Sequence, residues 1–566
     1  MIQSDIAKKT VVENLAKWIY ALEYNDIPER ILEKTRYQTL SVLASIHAGY
    51  KTEAGQTVYK ALTKWGTAGD VSVIPTGEKL SLVDAITINS AFSMALDYDD
   101  YLYMGHTGHS AVLASLAIAE AENLETKKLI TAQVIANEIG GRVGASTVLG
   151  PQNGQAWSFI HAIEGAAIGA KLYELSESET AHALSIAMYQ PTFTLWPGFM
   201  GPQSKVLTAA GPTITGIQAA QFAKQGMTGA RQIFEHPRKG FWKFFTFVPV
   251  KHMLTGLGEA WLTDTLAYKK YPGCAYIDTS LDALFMVLEN FEDKHGKGLQ
   301  IEDIKSIQVE ASLLTLEMDN LSSEHIGEFE KLSPVNINFS IPYNIAIGII
   351  AGEHTGKQLE QSFLDANEAD IRSIASKVEL EHNWEMSVRV SKAFDRLLGK
   401  NSIFGRLSVL DMLKVGRGYS GELGGKKKNS LGFKKLLSMK TFKRVRKVFA
   451  KSGGKQNKSS SSKEILGDIG SVDFTRFEAA FPARVSIETN QGTLYSDRQN
   501  VPFGAPGQEQ YFSTVVDKWT TEASDSLTVE QIKDHLDKII NFENNTVSEF
   551  ISSACFFDKA KESVEV

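Results

Sequence analysis

The spacing of apolar residues divides this chain into two patterns. From residue 10 to residue 265 they recur every three or four positions, which is the repeat of amphipathic helices. After Tyr271 and Pro272 the apolar and polar residues alternate in places, as they do in half-buried strands. The alternating segments are Ile304 to Ala311, Ser376 to Leu380 and Ala483 to Thr489. Helical spacing returns from Thr528 to Ser552, so the pattern predicts a mainly α fold with an α+β second domain.

Two of the predicted helices are rich in alanine and serine. Ala85 to Leu96 and Ala111 to Ala121 carry small side chains, which let helix backbones approach each other closely. Glycine and proline mark the connections between helices, for example at Gly140 and at Gly201. We therefore expect a buried helical bundle whose loops carry the functional residues.

Composition excludes several classes of protein. The 566 residues are 43% hydrophobic and 22% charged, which is typical of a globular chain. The two cysteines, Cys274 and Cys555, form no C-x-x-C pair, so neither a disulfide framework nor a thiolate zinc site is available. No apolar run reaches the roughly 18 residues of a membrane-spanning helix, and the N-terminus lacks a signal-peptide core. These features predict a cytoplasmic protein.

One segment is strongly basic although the whole chain has a net charge of -7. From Lys414 to Lys463 there are sixteen Lys and Arg and one acid, a local net charge of +15, so the rest of the chain carries -22. Its Gly/Ser-rich ends flank a stretch, Leu431 to Lys451, that can form an amphipathic helix. We interpret 414–463 either as a solvated insertion or as a contact for an anionic partner or membrane surface.

A cluster of acidic, tyrosine and histidine side chains interrupts the helical region in ALDYDDYLYMGHTGHSAVL. Asp97, Asp100 and Tyr101 follow a helix of small residues, and helical continuation would put Asp97 and Tyr101 on one face. His106 and His109 come just before the next helix. Such groups serve as acid and base or as metal ligands, whereas the structural alternative is helix capping.

Three further residues are candidates for a site. His161 begins an Ala/Gly-rich helix, where an imidazole is either a packed core residue or a functional group. Lys205 lies in a loop bounded by glycine and proline, where an ammonium in a cleft would pair with a substrate carboxylate. Lys269 precedes the change of pattern, and clefts between domains are preferred ligand sites.

Metal and nucleotide chemistry have weaker support. His106 and His109 are three positions apart, and no H-x-x-x-H or H-E-x-x-H spacing occurs, so no metal site is predicted. The single G-x-G-x-x-G match, which begins at Gly416, opens the basic segment instead of a βαβ unit.

Seven segments carry a resemblance when they are taken in order along the chain. They are NLAKWIYALEYNDIPERILEKTR, ALDYDDYLYMGHTGHSAVL, FIHAIEGAAIGAKLYELSESETAHALSIA, MGPQSKVLTAAG, KKYPGCAYIDTSLDAL, PVNINFSIPYNIAIGIIAG and FPARVSIETNQG. Together they resemble the MmgE/PrpD family, which includes 2-methylcitrate dehydratases, cis-aconitate decarboxylases and iminodisuccinate epimerases. The resemblance covers nearly the whole chain apart from the basic segment.

The resemblance implies a large helical domain made of residues 1–266 and 506–566, with a smaller α+β lid domain of residues 267–505 inserted between them. It also implies a homodimer that acts on small carboxylates without a cofactor. The expected activity is that of a hydro-lyase like 2-methylcitrate dehydratase. Decarboxylation and epimerisation are the alternatives, as all three reactions pass through a carbanion-like state; a weakly active relative that binds a partner through 414–463 is a further one.

Carried across by motif, the family's aspartate corresponds to Asp97, its histidine to His161 and its lysines to Lys205 and Lys269, while a lid tyrosine corresponds to Tyr343. The residues implied to move protons or stabilise charge are His161, Asp97, His106, His109 and Lys205. Those implied to bind substrate are Lys205, Lys269, Tyr101 and Tyr343.

The acidic motif departs from the family pattern at two positions. Tyr101 stands where the family has threonine, and Thr107 aligns with the family's first histidine. We therefore expect His106 or His109 to take the role of that histidine.

Three other departures concern charge. Thr208 and Gly211 stand where the family has His and Arg, and Asp278 stands where a histidine is common. These exchanges predict a less cationic pocket, and with it a substrate other than a tricarboxylate.

Overall fold

The computed structural model describes most of the chain. It covers residues 9–556 except for Met104, 152–157, 324–325, 327–330, 397–410, 412–413, 416–471 and Asp497. Apart from Lys414 and Val415, the basic segment lies outside the described residues, and its role stays a prediction.

Helices dominate the first half of the chain, as the apolar spacing predicts. They span Val11–Ala21, Glu29–Tyr50, Glu53–Trp65, Leu82–Ala95, Gly108–Ala121, Thr126–Ser146, Ile160–Leu172, Glu177–Ala187 and Ala210–Lys224. Shorter turns of helix lie at Trp196–Phe199, Gln203–Leu207 and Phe241–Phe245. A capping box begins the helix Glu177–Ala187, because the hydroxyl of Ser176 accepts the N–H of Glu179 and the Glu179 carboxylate accepts the N–H of Ser176.

The Ala/Ser-rich helices lie at the centre of this bundle. Leu82–Ala95 packs against both Glu29–Tyr50 and Gly108–Ala121, and its side chains from Ala85 to Ala95 are nearly all buried. Ile160–Leu172 packs against Thr126–Ser146 and Ala210–Lys224. Because most of their side chains are buried, the polar residues on these helices are enclosed with them.

Two small antiparallel pairs interrupt the helical region, and apolar spacing alone did not predict them. Strand β1 (Ala68–Val73) pairs with β2 (Glu78–Leu80). Strand β3 (Asp100–Leu102) pairs with β4 (Leu266–Tyr268), and Tyr101 lies opposite Ala267. The predicted helical face that joins Asp97 to Tyr101 is therefore wrong, because the pairing with β4 draws this stretch into an extended conformation.

The second half of the chain contains a four-stranded sheet in the order β6, β5, β7, β8. The strands are β5 (Ile304–Ala311), β6 (Val378–His382), β7 (Ala483–Thr489) and β8 (Gly492–Tyr495). β5 and β6 are parallel, whereas β7 is antiparallel to both β5 and β8. The helices around the sheet are Ala275–His295, Leu313–Ser323, Pro334–Ile337, Ile341–Ala351, Gln361–Ala375 and Trp384–Arg396.

The C-terminal helices return to the helical part. They span Ser513–Ala523, Val529–Ile540 and Val547–Ser553, and the first of them packs against Glu29–Tyr50. The predicted fold class, mainly α with an α+β second domain, is confirmed; the boundaries 1–266, 267–505 and 506–566 stay a prediction. A bilayer-spanning helix must be long and apolar throughout, and none of the helices in the described ranges meets that requirement.

Candidate active site

A turn after the helix Leu82–Ala95 carries the first carboxylate of the site. Asp97 has φ 52°, a left-handed conformation that few residues other than glycine adopt. Its Oδ1 lies 3.1 Å from Nζ of Lys205, and its Oδ2 lies 3.2 Å from Nζ of Lys269. Burial opposes ionisation of Asp97, but the two ammonium charges outweigh it and hold the pKa of the carboxyl below its usual value.

Lys269 binds three oxygen atoms of the acidic turn. Its Nζ donates to the backbone oxygen of Asp97 at 2.5 Å, to Oδ2 of Asp97 at 3.2 Å and to Oδ1 of Asp99 at 2.9 Å. An ammonium has three N–H groups, so the turn uses all of them. Burial opposes the charge of Lys269, but Asp97 and Asp99 outweigh it and raise the pKa.

Lys205 has a different environment. Its ammonium lies 4.3 Å from the ring centroid of Phe339 and 5.3 Å from that of Phe199. Its ion pair within the described residues is with Asp97. Burial outweighs the attraction of that carboxylate and lowers the pKa of Lys205. Lys205 therefore has N–H groups left for a substrate.

Asp99 joins two histidines to this ionic chain. Its Oδ2 lies 2.8 Å from Nδ1 of His106 and 3.0 Å from Nε2 of His109. Burial opposes ionisation of Asp99, but the nearby His109, Lys269 and His106 hold the pKa well below its usual range.

The two histidines are not equivalent. His109 is fully buried, and its second nitrogen, Nδ1, lies 2.8 Å from Oγ of Ser93, so both ring nitrogens have neighbours. The side chain of His106 is 13% exposed, and its Nε2 makes no hydrogen bond within the described part of the chain. Asp99 therefore orients His106 with Nε2 left for another group.

His161 lies beside this pair, with its ring centroid 6.4 Å from that of His109. Its Nδ1 is 2.7 Å from Oγ of Ser110, and that hydroxyl in turn donates to Oε2 of Glu164. Oε2 of Glu164 remains an acceptor when the other oxygen of that carboxyl carries the proton, so the Ser110 hydroxyl proton is used there, Nδ1 of His161 carries hydrogen and Nε2 carries the lone pair. Nε2 is buried without a partner among the described residues, and burial lowers the pKa of His161 well below its usual value.

A close helix contact positions Glu164. A Cβ atom at Gly140 would lie 1.7 Å from Oε1 of Glu164, so a larger residue there would displace that carboxyl. Burial raises the pKa of Glu164 well above its usual value, which favours the neutral form.

Six predicted site residues therefore form one connected cluster. They are Asp97, His106, His109, His161, Lys205 and Lys269. Tyr101 is buried in β3, and its hydroxyl has no partner within the described ranges. The hydroxyl of Tyr343 lies 3.5 Å from the guanidinium of Arg372 on a neighbouring helix, with no contact to the cluster within the described residues. The roles of all eight residues stay predictions.

Several residues of the cluster were missed by sequence reasoning. Asp99 belongs to the acidic motif, and three acids within four residues were the available signal. Ser93 and Ser110 lie on buried helices where nothing local distinguishes them from packing residues. Thr107 donates to Oδ1 of Asn137 at 2.6 Å in a buried polar network. Both His106 and His109, its neighbours in the sequence, contact Asp99 instead.

Lys518 fastens the acidic turn from the C-terminal helix Ser513–Ala523. It is buried, and its Nζ donates to Oγ of Ser41 at 3.0 Å and to the backbone oxygen of Tyr98. Burial lowers the pKa of Lys518 to about 7. The end of the chain therefore supports the turn that carries Asp97 and Asp99.

Asp278, which stands where the family commonly has histidine, is fully buried near the site. Its Oδ2 accepts the backbone N–H of Lys270 at 3.1 Å, and its Oδ1 has no partner within the described residues. Burial, together with the neighbouring Asp282, raises the pKa of Asp278 to about 8. The carboxyl is therefore mostly neutral at pH 7.

This raised pKa predicts a pH-dependent effect of Asp278→Asn on stability. The unfolded chain ionises this group near pH 4 and the folded chain only near pH 8. The contribution of Asp278 to stability is thus complete below pH 4 and declines as the pH rises to 8. We expect the variant to gain free energy of unfolding relative to the wild type over this window, by at most about 1.4 kcal/mol per pH unit. Urea unfolding of both proteins from pH 5 to 8 measures this. A difference in free energy of unfolding that stays constant over that range would contradict the prediction.

The donor atoms of Asp99, His106 and His109 all lie within 4.8 Å of one another, a spacing that a metal ion can use. The ammonium of Lys269 lies 2.9 Å from the other oxygen of Asp99. A divalent cation bound here would therefore be repelled by the ammonium of Lys269, which already pairs with the carboxylate of Asp99.

Comparisons with known proteins identify a family. Residues 13–250 match the MmgE/PrpD N-terminal domain, and residues 271–398 match the MmgE/PrpD C-terminal domain. The chain is 24% identical over 401 residues to a cis-aconitate decarboxylase of Aspergillus terreus, an alignment that covers 67% of this chain and 80% of the relative. It is 24% identical over 395 residues to the human cis-aconitate decarboxylase, with 66% and 77% covered. The same identity over 395 residues, with 66% and 80% covered, relates it to the cis-aconitate decarboxylase-like protein oryM of Aspergillus oryzae.

Proposed function

We propose a lyase function for this chain, which belongs to the MmgE/PrpD family: abstraction of a proton α to a carboxylate, followed by loss of a β-hydroxyl, without a cofactor. One observation carries the proposal. A buried neutral imidazole with a free nitrogen, His161, lies next to an ionic cluster in which Lys205 keeps spare donors. A base beside an unsatisfied ammonium suits removal of a proton whose charge passes to a carboxylate.

Each group has a role in this reaction. Nε2 of His161 takes the α-proton, and the electrons of the C–H bond form the new double bond as the hydroxyl departs. Lys205 stabilises the negative charge that develops on the substrate carboxylate. His106, oriented by Asp99, donates the proton with which the hydroxyl leaves as water. Lys269 holds Asp97 and Asp99 in place, because its three N–H groups are used by the acidic turn.

Decarboxylation is the second candidate, and the names of the relatives favour it. Several relatives at 24% identity are cis-aconitate decarboxylases. In that reaction the same cluster stabilises the carbanion left by carbon dioxide, and a histidine returns a proton to the carbon.

Turnover in deuterium oxide tests the proposal and separates the two reactions. The wild-type chain is incubated with citrate, 2-methylcitrate, cis-aconitate and smaller hydroxy acids, and products are followed by NMR together with carbon dioxide release. A hydro-lyase exchanges the α-proton and forms an alkene without releasing carbon dioxide, whereas a decarboxylase releases carbon dioxide. Absence of exchange, alkene and carbon dioxide with every acid would refute the lyase proposal.

We expect turnover to survive removal of metal ions. The negative charge of Asp99 is already paired with Lys269 and shared with two imidazoles, which leaves little to attract a cation. Dialysis against EDTA should leave kcat within about twofold of the untreated enzyme. Loss of activity that returns with added metal would instead make Asp99, His106 and His109 ligands.

The homodimer implied by the family resemblance is likewise a proposal, which sedimentation of the purified chain tests.

A further inference from the structure

The buried positive charges of the described residues are almost all in use. Four Lys and Arg side chains are buried there: Arg142, Lys205, Lys269 and Lys518. Arg142 donates to Glu138 and to the backbone oxygens of Met253, Thr255 and Ala260, away from the cluster. The N–H groups of Lys269 are used by the acidic turn, and those of Lys518 bind Ser41 and Tyr98.

Lys205 is thus the buried cation with the most donors to spare in the described part of the chain, because its ammonium makes no hydrogen bond there. Its one short ion pair is with Asp97, and two aromatic rings cover it. Two ammonium groups, Lys205 and Lys269, meet two carboxylates, Asp97 and Asp99, so the cluster has no excess positive charge. A substrate with three carboxylates would bring negative charge into a buried site that can pair only one of them well.

A buried neutral polar residue, Asn338, precedes the phenylalanine whose ring covers Lys205. Asn338 is fully buried, and neither Oδ1 nor Nδ2 of its amide has a partner within the described residues. The next residue, Phe339, covers the ammonium of Lys205 at 4.3 Å. The backbone oxygen of Asn338 accepts the N–H of Cys274 at 2.9 Å, and Cys274 caps the helix that follows Lys269. Buried amides are nearly always hydrogen-bonded, so the amide of Asn338 is available to a polar ligand or to water.

We propose that the substrate is a small hydroxy acid with one or two carboxylates, one of which pairs with Lys205 while its hydroxyl binds the amide of Asn338. This inference rests on the proposed lyase function and narrows its substrate class. A hydroxyl both donates and accepts, so it satisfies the amide without adding charge. The tricarboxylate named for the relatives fits this site poorly, because the cations that its further carboxylates need are occupied.

Calorimetric binding to the full-length chain at pH 7 tests the inference with four probes. Malate and succinate carry two carboxylates, with and without a hydroxyl; citrate and tricarballylate carry three, with and without one. We expect the Kd of malate to be at least ~10-fold lower than those of citrate and succinate. Succinate lacks the hydroxyl that would bind Asn338, and citrate brings one more carboxylate that has no cation to pair with. Citrate or tricarballylate binding more tightly than both dicarboxylates would overturn the inference.

Asn338→Ala supplies the matched variant. It should bring the Kd values of malate and succinate within about twofold of each other and leave that of succinate unchanged, whereas Lys205→Met should weaken both equally. A malate preference that persists in Asn338→Ala would overturn the role of Asn338. The comparison of citrate with malate uses only the wild type, so it stands whether or not the variant folds.

Failure of this inference and failure of the lyase proposal give different results. If tricarboxylates bind best and are turned over, the chain is a lyase of another substrate class and only this inference is wrong. If none of the four acids binds and no acid is turned over, both are wrong.

Discussion

Replacement of His161 by glutamine is expected to lower kcat by at least ~100-fold, because glutamine has no nitrogen that accepts a proton at neutral pH. Its amide fills a similar volume and can keep the contact with Ser110, so the melting temperature should change little. Steady-state kinetics and thermal unfolding of the same preparations check both parts. An equal loss of activity and of folded protein would mean that His161 is a packing residue.

The pH profile gives an independent readout of the same residue. Because burial, reinforced by the neighbouring histidines, lowers the pKa of His161, its neutral form persists below pH 6.5. We expect the acid limb of kcat/KM in the free enzyme to lie below that pH. His354→Gln is a suitable control, since burial lowers the pKa of His354 to about 3 while its Nε2 bonds Asn344 in the second half of the chain. That variant should keep the acid limb and kcat of the wild type.

Lys269→Met is expected to produce the largest loss of stability, on the order of 3–5 kcal/mol in the free energy of unfolding. The substitution removes the cation that Asp97 and Asp99 share and leaves their buried charges with weaker partners. Urea unfolding at pH 7 measures the effect. The pKa values of Asp97 and Asp99 should then rise. The loss of stability relative to the wild type should therefore become smaller as the pH is lowered towards 5.

Lys205→Met is the matched control for this prediction. It removes one of the two cations at Asp97 but leaves Lys269 in place, so we expect a smaller loss of stability. In contrast, its effect on turnover should be the larger, because Lys205 has donors free for the substrate. Equal destabilisation by both variants would contradict the distinction between a holding lysine and a binding lysine.

Much of the fold is readable from local patterns. Helices and strands depend on the alternation of apolar residues within one element, so β5 and β7 were predicted with the bounds they have. The pair β3 and β4 escaped because its three-residue strands are too short for a pattern, and they lie more than a hundred residues apart. Such a pair forms only because the surrounding helices bring its strands together.

The sequence by itself determined which residue types are present at the site: the acidic motif, His106 and His109 after it, His161, and the two lysines. Only the tertiary structure decided their roles. Asp99, passed over in the motif, binds both histidines; Lys269 is saturated while Lys205 is not; and Lys518 arrives from the C-terminal helix. The reason is physical: helix and strand propensities act between neighbours in the chain, whereas the state of a buried charge depends on every donor and acceptor within a few ångströms, most of which are distant in sequence.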